Sequence, residues 1–123
     1  MGGRGDYLSG GGFRNNLYHT EKTVNSVKLI RRNNGKGGLP LYSNTSDAIY
    51  IGTGHDENPN QIRFYKERTP SRDFDIGRNF EKAHMHDWVN GERIEKHQPP
   101  TEYEKSFIEG IFKEMGKEIK WEF

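Results

Sequence analysis

Scarcity of aliphatic residues constrains this chain more than any other feature. Leu, Ile, Val and Phe supply 24 of its 123 residues, roughly 20%. That share sits at the border below which chains fail to bury enough apolar surface to fold. Two features pull it back. The formal net charge is only +1, so self-repulsion does not favour disorder, and 15 aromatic residues concentrate what burial there is. The expectation is one small, thin-cored domain that gains from an additional staple. With no cysteine the staple is not a disulfide, and thiol catalysis, zinc ribbons and iron–sulfur clusters are excluded. No apolar run approaches the roughly 18 residues of a membrane span. The opening Met-Gly-Gly-Arg-Gly-Asp lacks the apolar centre of a signal peptide. The chain therefore reads as a cytoplasmic protein with no membrane partner.

Charge divides it in two. Residues 1–40 carry seven Lys/Arg against Asp6 and Glu21, a balance of +5, and nine of the 15 glycines. Residues 41–123 carry twelve Lys/Arg against sixteen acids, a balance of −4. Residues 1–16 read as a flexible Gly-rich leader, and residues 17–123 as a single α+β domain. The cluster Lys28, Arg31, Arg32 and Lys36 reads as solvated surface on an otherwise acidic body.

Within the body, Val24–Ile30 suits a strand, with a short helix as the alternative, and Asn33-Asn34-Gly35 a turn. Ala48–Gly52 reads as a buried strand, and Gln61–Lys66 alternates, with Ile62 and Phe64 on one side. Thr69-Pro70-Ser71 marks a break. Arg72–Gly77 and Ala83–Val89 are two further strands, and Asn90-Gly91 a tight turn. A helix begins after Pro99-Pro100, with Thr101 as N-cap and Glu104 closing a capping box. Tyr103, Phe107, Ile108, Ile111, Phe112 and Met115 form its apolar face, and Gly116 stops it. The alternation Ile119, Trp121, Phe123 suits a short edge strand. The fold class predicted is α+β: an antiparallel sheet of four to five strands with one C-terminal amphipathic helix packed on it.

The chemistry concentrates in Asp73-Phe74-Asp75 and His84-Met85-His86. Residues two apart on a strand share a face. Asp73 and Asp75 therefore point together, as do His84 and His86. If the two strands pair across Gly77–Lys82, the carboxylates and imidazoles converge. Such a set suits Zn²⁺ or another divalent ion, with His97 the next ligand. His55 and Asp56 lie on a loop within reach. The plainer alternative is a hydrogen-bonded polar face without metal. A bound ion would supply the missing staple, because metal held only by the folded form is folding free energy. The same residues allow a nuclease, with His84 or His86 as general base, Asp75 orienting it, and Arg78, Lys82 or Arg93 facing a phosphate. No phosphate loop, G-x-S-x-G or H-E-x-x-H is present.

Several stretches together resemble a group of small proteins encoded by phages and prophages of Gram-positive bacteria. They are the MGGRG opening, Ile62-Arg63-Phe64-Tyr65, Asp73-Phe74-Asp75-Ile76-Gly77, His84-Met85-His86-Asp87-Trp88 and Pro99–Glu104. The resemblance covers the first few residues and roughly 61–115. The helix start departs from the pattern, reading Pro-Pro-Thr-Glu-Tyr-Glu. A related arrangement occurs at the ends of bacterial toxins that act as ribonucleases. The resemblance implies two classes. One is an accessory protein that binds and inhibits a host defence protein, as anti-CRISPR proteins inhibit Cas9. The other is a toxin-like nuclease. The acidic body disfavours direct nucleic-acid binding and suits docking on a basic nucleic-acid-binding surface. The expectation is therefore a binder with a structural metal, Cas9 being the first candidate partner, and the nuclease is the alternative.

Overall fold

The computed structural model describes residues 18–33, 38–43, 45–53 and 58–123. The proposed leader, the Asn34-Gly35 turn, and His55 and Asp56 lie outside the described residues. Among the described residues, seven strands form one sheet in sequence order: β1 (Tyr18–Val24), β2 (Val27–Arg32), β3 (Ile49–Thr53), β4 (Pro59–Lys66), β5 (Thr69–Asp75), β6 (His84–Val89) and β7 (Glu92–Arg93). The α-helix α1 (Glu102–Glu114) follows. The α+β class holds, but there are more strands than the four or five expected. One pair, β2 with β3, is parallel, and the others are antiparallel.

The strands beyond those expected are β1 and β7, and two turns lie where the sequence does not announce them. The segment read as a strand from Val24 to Ile30 is a hairpin tip, with Asn25 and Ser26 at φ 50° and 67° between β1 and β2. The break expected at Thr69-Pro70-Ser71 falls instead on Glu67 and Arg68, at φ 53° and 75°. Two successive left-handed residues are what a two-residue hairpin loop requires, and an Asn-Gly or Asp-Gly pair usually marks it. Neither turn contains glycine, and Asn25 alone, inside a stretch of regularly spaced apolar residues, does not announce one. Asn90-Gly91, at φ 52° and 81°, turns β6 into β7 as expected. Pro70 is tolerated inside β5 because it pairs only with Tyr65 of β4, and β6 joins at Arg72. Its missing N–H therefore breaks no ladder bond on the β6 side.

The helix begins as predicted. The Thr101 hydroxyl accepts from the Glu104 N–H at 3.1 Å, and the Glu104 carboxylate accepts from the Thr101 N–H at 3.0 Å. It ends in a Schellman motif. The Gly116 N–H reaches the Lys113 carbonyl, and the Lys117 N–H the Phe112 carbonyl, with Gly116 at φ 78°. Its inner face meets one side of the sheet. Ile51, Ile62, Phe74 and Met85 from the strands lie against Ile108, Ile111 and Phe112, all fully buried. Phe74 stacks obliquely on Phe112, and Trp121 meets Phe74 edge-on. Tyr103, assigned to the inner face, is exposed against Phe107. Glu104 is buried nearby instead, because it serves both the cap and Arg72, which it accepts from at 2.6 and 3.0 Å.

The other side of the sheet is different. Toward β1–β4 it holds a small cluster of Tyr18, Ile30, Leu39, Tyr50 and Tyr65 under the 38–43 segment. Three donors fasten that segment. Tyr18 bonds the Gly38 carbonyl, Arg63 the Leu39 and Pro40 carbonyls, and Tyr65 the Pro40 carbonyl. Toward β5–β7 the same face is polar, and there the candidate ligands collect.

Candidate metal centre

Strands β5 and β6 pair across the Gly77–Lys82 connection, with Asp73 opposite His86 and Asp75 opposite His84. Phe74 and Met85 point into the helix-side core, so the two carboxylates and two imidazoles share the opposite face. The sheet thus creates the convergence, but its members take separate roles.

Asp73 is fully buried and belongs to Arg63. The guanidinium grips it with Nε at 2.8 Å and Nη2 at 3.0 Å, and Trp88 lies over the same guanidinium. Asp75 is paired with Arg93, and its Oδ2 stands 3.6 Å from His86 Nε2. Arg78 is exposed on the short 3-10 turn Arg78–Phe80 and does not line the cleft.

The three histidines do come together. Ligand nitrogens of His84, His86 and His97 lie within 4.8 Å of one another. His84 Nδ1 donates to the Lys82 carbonyl at 2.7 Å, and His86 Nδ1 to the Ile94 carbonyl at 2.8 Å. A carbonyl only accepts, so the proton of each neutral ring sits on Nδ1 and each Nε2 carries a lone pair. These two Nε2 atoms face each other at 3.1 Å. Burial pushes the His84 imidazole below its ordinary pKa. The Lys82 carbonyl opposes the fall, and the His97 and His86 rings reinforce it. His97 stacks flat on His84, with centroids 3.5 Å apart, and its Nδ1 meets the Glu122 carboxylate at 2.9 Å.

Two lone pairs at 3.1 Å repel unless a cation lies between them. Two nitrogens, each 2.0–2.1 Å from a tetrahedral metal ion, are separated by roughly 3.3 Å. The His84–His86 spacing is close to that, whereas His97, stacked parallel on His84, has to tilt for its in-plane lone pair to meet the same ion. Each of the three rings has its Nδ1 occupied by a carbonyl or carboxylate, the arrangement that orients metal-binding histidines. A proton shared between the two Nε2 atoms is the metal-free alternative, and His97, 44% exposed, is solvated in either case.

The segment leading into β6 is strained. Asn79, Phe80 and Lys82 lie at φ 58°, 58° and 60°, which is unusual for bulky residues and clusters at functional sites. An open cleft of about 470 Å³ adjoins the histidines, lined among others by Gln61, Asp75, Lys82, Arg93 and Glu122. Sequence reasoning missed Glu122 and the Arg63 partner of Asp73. The tail alternation of Ile119, Trp121 and Phe123 did place Glu122 on the opposite side, which was the available signal. Compared with models of protein families, with curated proteins and with solved structures, the chain matches none of them.

Proposed function

We propose that the protein is a metal-dependent phosphodiester hydrolase that binds one divalent ion, Zn²⁺ first, through His84, His86 and His97. The observation that carries this is the three-imidazole cluster with every Nδ1 engaged, bordering an open cleft. Structural zinc sites are closed by four protein ligands, whereas hydrolytic ones use three and leave a position open. An ion held there would activate a water and polarise a phosphoryl oxygen.

The chain's own residues fit that chemistry. Asp75, fixed by Arg93, stands at the cluster edge as an acceptor for the proton of an attacking water. Lys82 and Arg93 balance Asp75 and Glu122 along the cleft lining. The pocket is thus neutral before an ion binds and positive afterwards, whatever the acidity of the whole body. A metal-free mechanism with His84 and His86 as acid and base is less well supported, because two such groups must straddle a phosphate and these are 3.1 Å apart. Elemental analysis and cleavage of RNA and DNA with and without Zn²⁺ test the reading. One ion per chain and metal-dependent cleavage, both lost in His86→Ala, are expected. Full activity after chelation would refute it.

A second reading keeps the ion structural and makes the protein a phage-encoded inhibitor of a host defence protein, Cas9 first. It is favoured by the firmly held 38–43 segment, which exposes Leu41 and Tyr42 on an acidic body. Co-purification with Cas9 and stoichiometric loss of its cleavage are the expected results. Full Cas9 activity at molar excess of the protein would remove this reading.

A further inference from the structure

We infer that Glu122, near the end of the chain, is the positioning residue of the metal centre and sets both its affinity and its third ligand. This rests on the metal reading above.

The three imidazoles are not held alike. His84 and His86 stand on β6, largely buried, with Nδ1 fixed by main-chain carbonyls. His97 lies outside any strand, its side chain 44% exposed, and its Nδ1 is met by both oxygens of Glu122, at 2.9 and 3.1 Å. The same carboxylate lies 3.4 Å from His84 Nδ1. The His84 and His97 rings are parallel within 6°, and their Nδ1 atoms lie 3.4 and 2.9 Å from the same Glu122 oxygen, Oε1. One carboxylate therefore holds the His97 ring and borders the Nδ1 edge of the His84 ring beside it.

The carboxylate is itself placed by the core. The Ala83 N–H bonds the Lys120 carbonyl and the Glu122 N–H bonds the Ala83 carbonyl, so the tail is laid parallel beside the start of β6. Between those bonds Trp121 packs on Phe74 and donates its Nε1–H to Glu109 of α1. The alternation of the tail then turns Glu122 to the opposite side, toward the histidines. Docking of the last residues on the core and completion of the metal centre are thus one event.

The test is a Co²⁺ titration of the full chain, followed by the visible absorption of the bound ion, for wild type, Glu122→Gln, Glu122→Ala and the exposed control Glu118→Gln. Wild type should take up one Co²⁺. Both Glu122 variants should bind roughly 10- to 100-fold more weakly, with an altered visible spectrum, while Glu118→Gln matches wild type. Circular dichroism and tryptophan fluorescence of the metal-free forms should not change, which separates loss of positioning from loss of tail docking. Wild-type affinity and spectrum in Glu122→Gln and Glu122→Ala would overturn the assignment to Glu122 while leaving the metal centre standing. A wild-type chain that takes up neither Co²⁺ nor Zn²⁺ would overturn both.

Discussion

Replacing Asp73 by alanine separates a structural carboxylate from a metal-binding one. The Asp73 side chain is completely buried and that of Arg63 is 7% exposed. Removing the carboxylate strands a guanidinium in the sheet's interior face. Breaking a buried pair in this way costs about 3–5 kcal/mol, because the remaining charge is uncompensated. Arg63 keeps its bonds to the Leu39 and Pro40 carbonyls and its contact with Trp88. The lower end, about 3 kcal/mol, is therefore expected. For a domain of this size that corresponds to a melting temperature lower by roughly 12 °C. Differential scanning calorimetry on metal-free protein measures it directly. The double variant Arg63→Met/Asp73→Leu should recover most of the loss, since it removes both charges and keeps apolar volume. Both Asp73 oxygens face Arg63, so Asp73→Ala should still bind one Zn²⁺ with near wild-type affinity. A drop below about 4 °C would refute the buried-pair argument. Loss of metal from folded Asp73→Ala would make Asp73 a ligand after all.

Zn²⁺ at roughly a hundredfold excess over its Kd should stabilise the protein by about 2.7 kcal/mol, reversed by chelator and absent in His86→Ala, as thermal melts will show. Thr101→Ala removes the side-chain half of the capping box and should cost about 0.5–2 kcal/mol in denaturant titration. At Glu104 burial pushes the carboxyl up, but Arg72 and the Thr101 N–H outweigh it, leaving its pKa below the ordinary value. The folded form thus prefers the ionised group. Its contribution is full above about pH 5 and lost as pH falls below about 4. The stability gap between wild type and Glu104→Gln should therefore shrink over that interval, and a gap that widens would contradict the assignment. Arg68→Gly relieves a left-handed arginine at φ 75°. It should raise stability by up to about 1 kcal/mol, read as a higher denaturation midpoint.

Much of the fold can be read from short stretches of residues. The capping box at Thr101 and Glu104 is local, and the apolar face of α1 needs only helical periodicity. The period of two in Asp73-Phe74-Asp75 and His84-Met85-His86 puts the polar pairs on one face, and the observed register brings them opposite each other. The turns at Asn25-Ser26 and Glu67-Arg68 are hidden because Ser26, Glu67 and Arg68 are residue types that rarely adopt the left-handed conformation. Tertiary contacts hold these residues there at local cost, and residue type does not report that.

The candidate site divides along the same line. That the two aspartates share a face, and the two histidines likewise, follows from strand alternation, and the β5–β6 register makes it the same face. Which of them would meet which follows from neither. Asp73 went to Arg63 and Asp75 to Arg93, because β4 and β7 flank the pair and deliver guanidiniums to the same face. His97 joins His84 and His86 because Glu122, 25 residues further on, is carried beside β6 by the docking of Trp121 on Phe74. Periodicity and capping act over a few residues and are written locally. The assignment of one carboxylate to a guanidinium and another to an imidazole is a competition among groups brought together from across the chain, and only the packed sheet decides it.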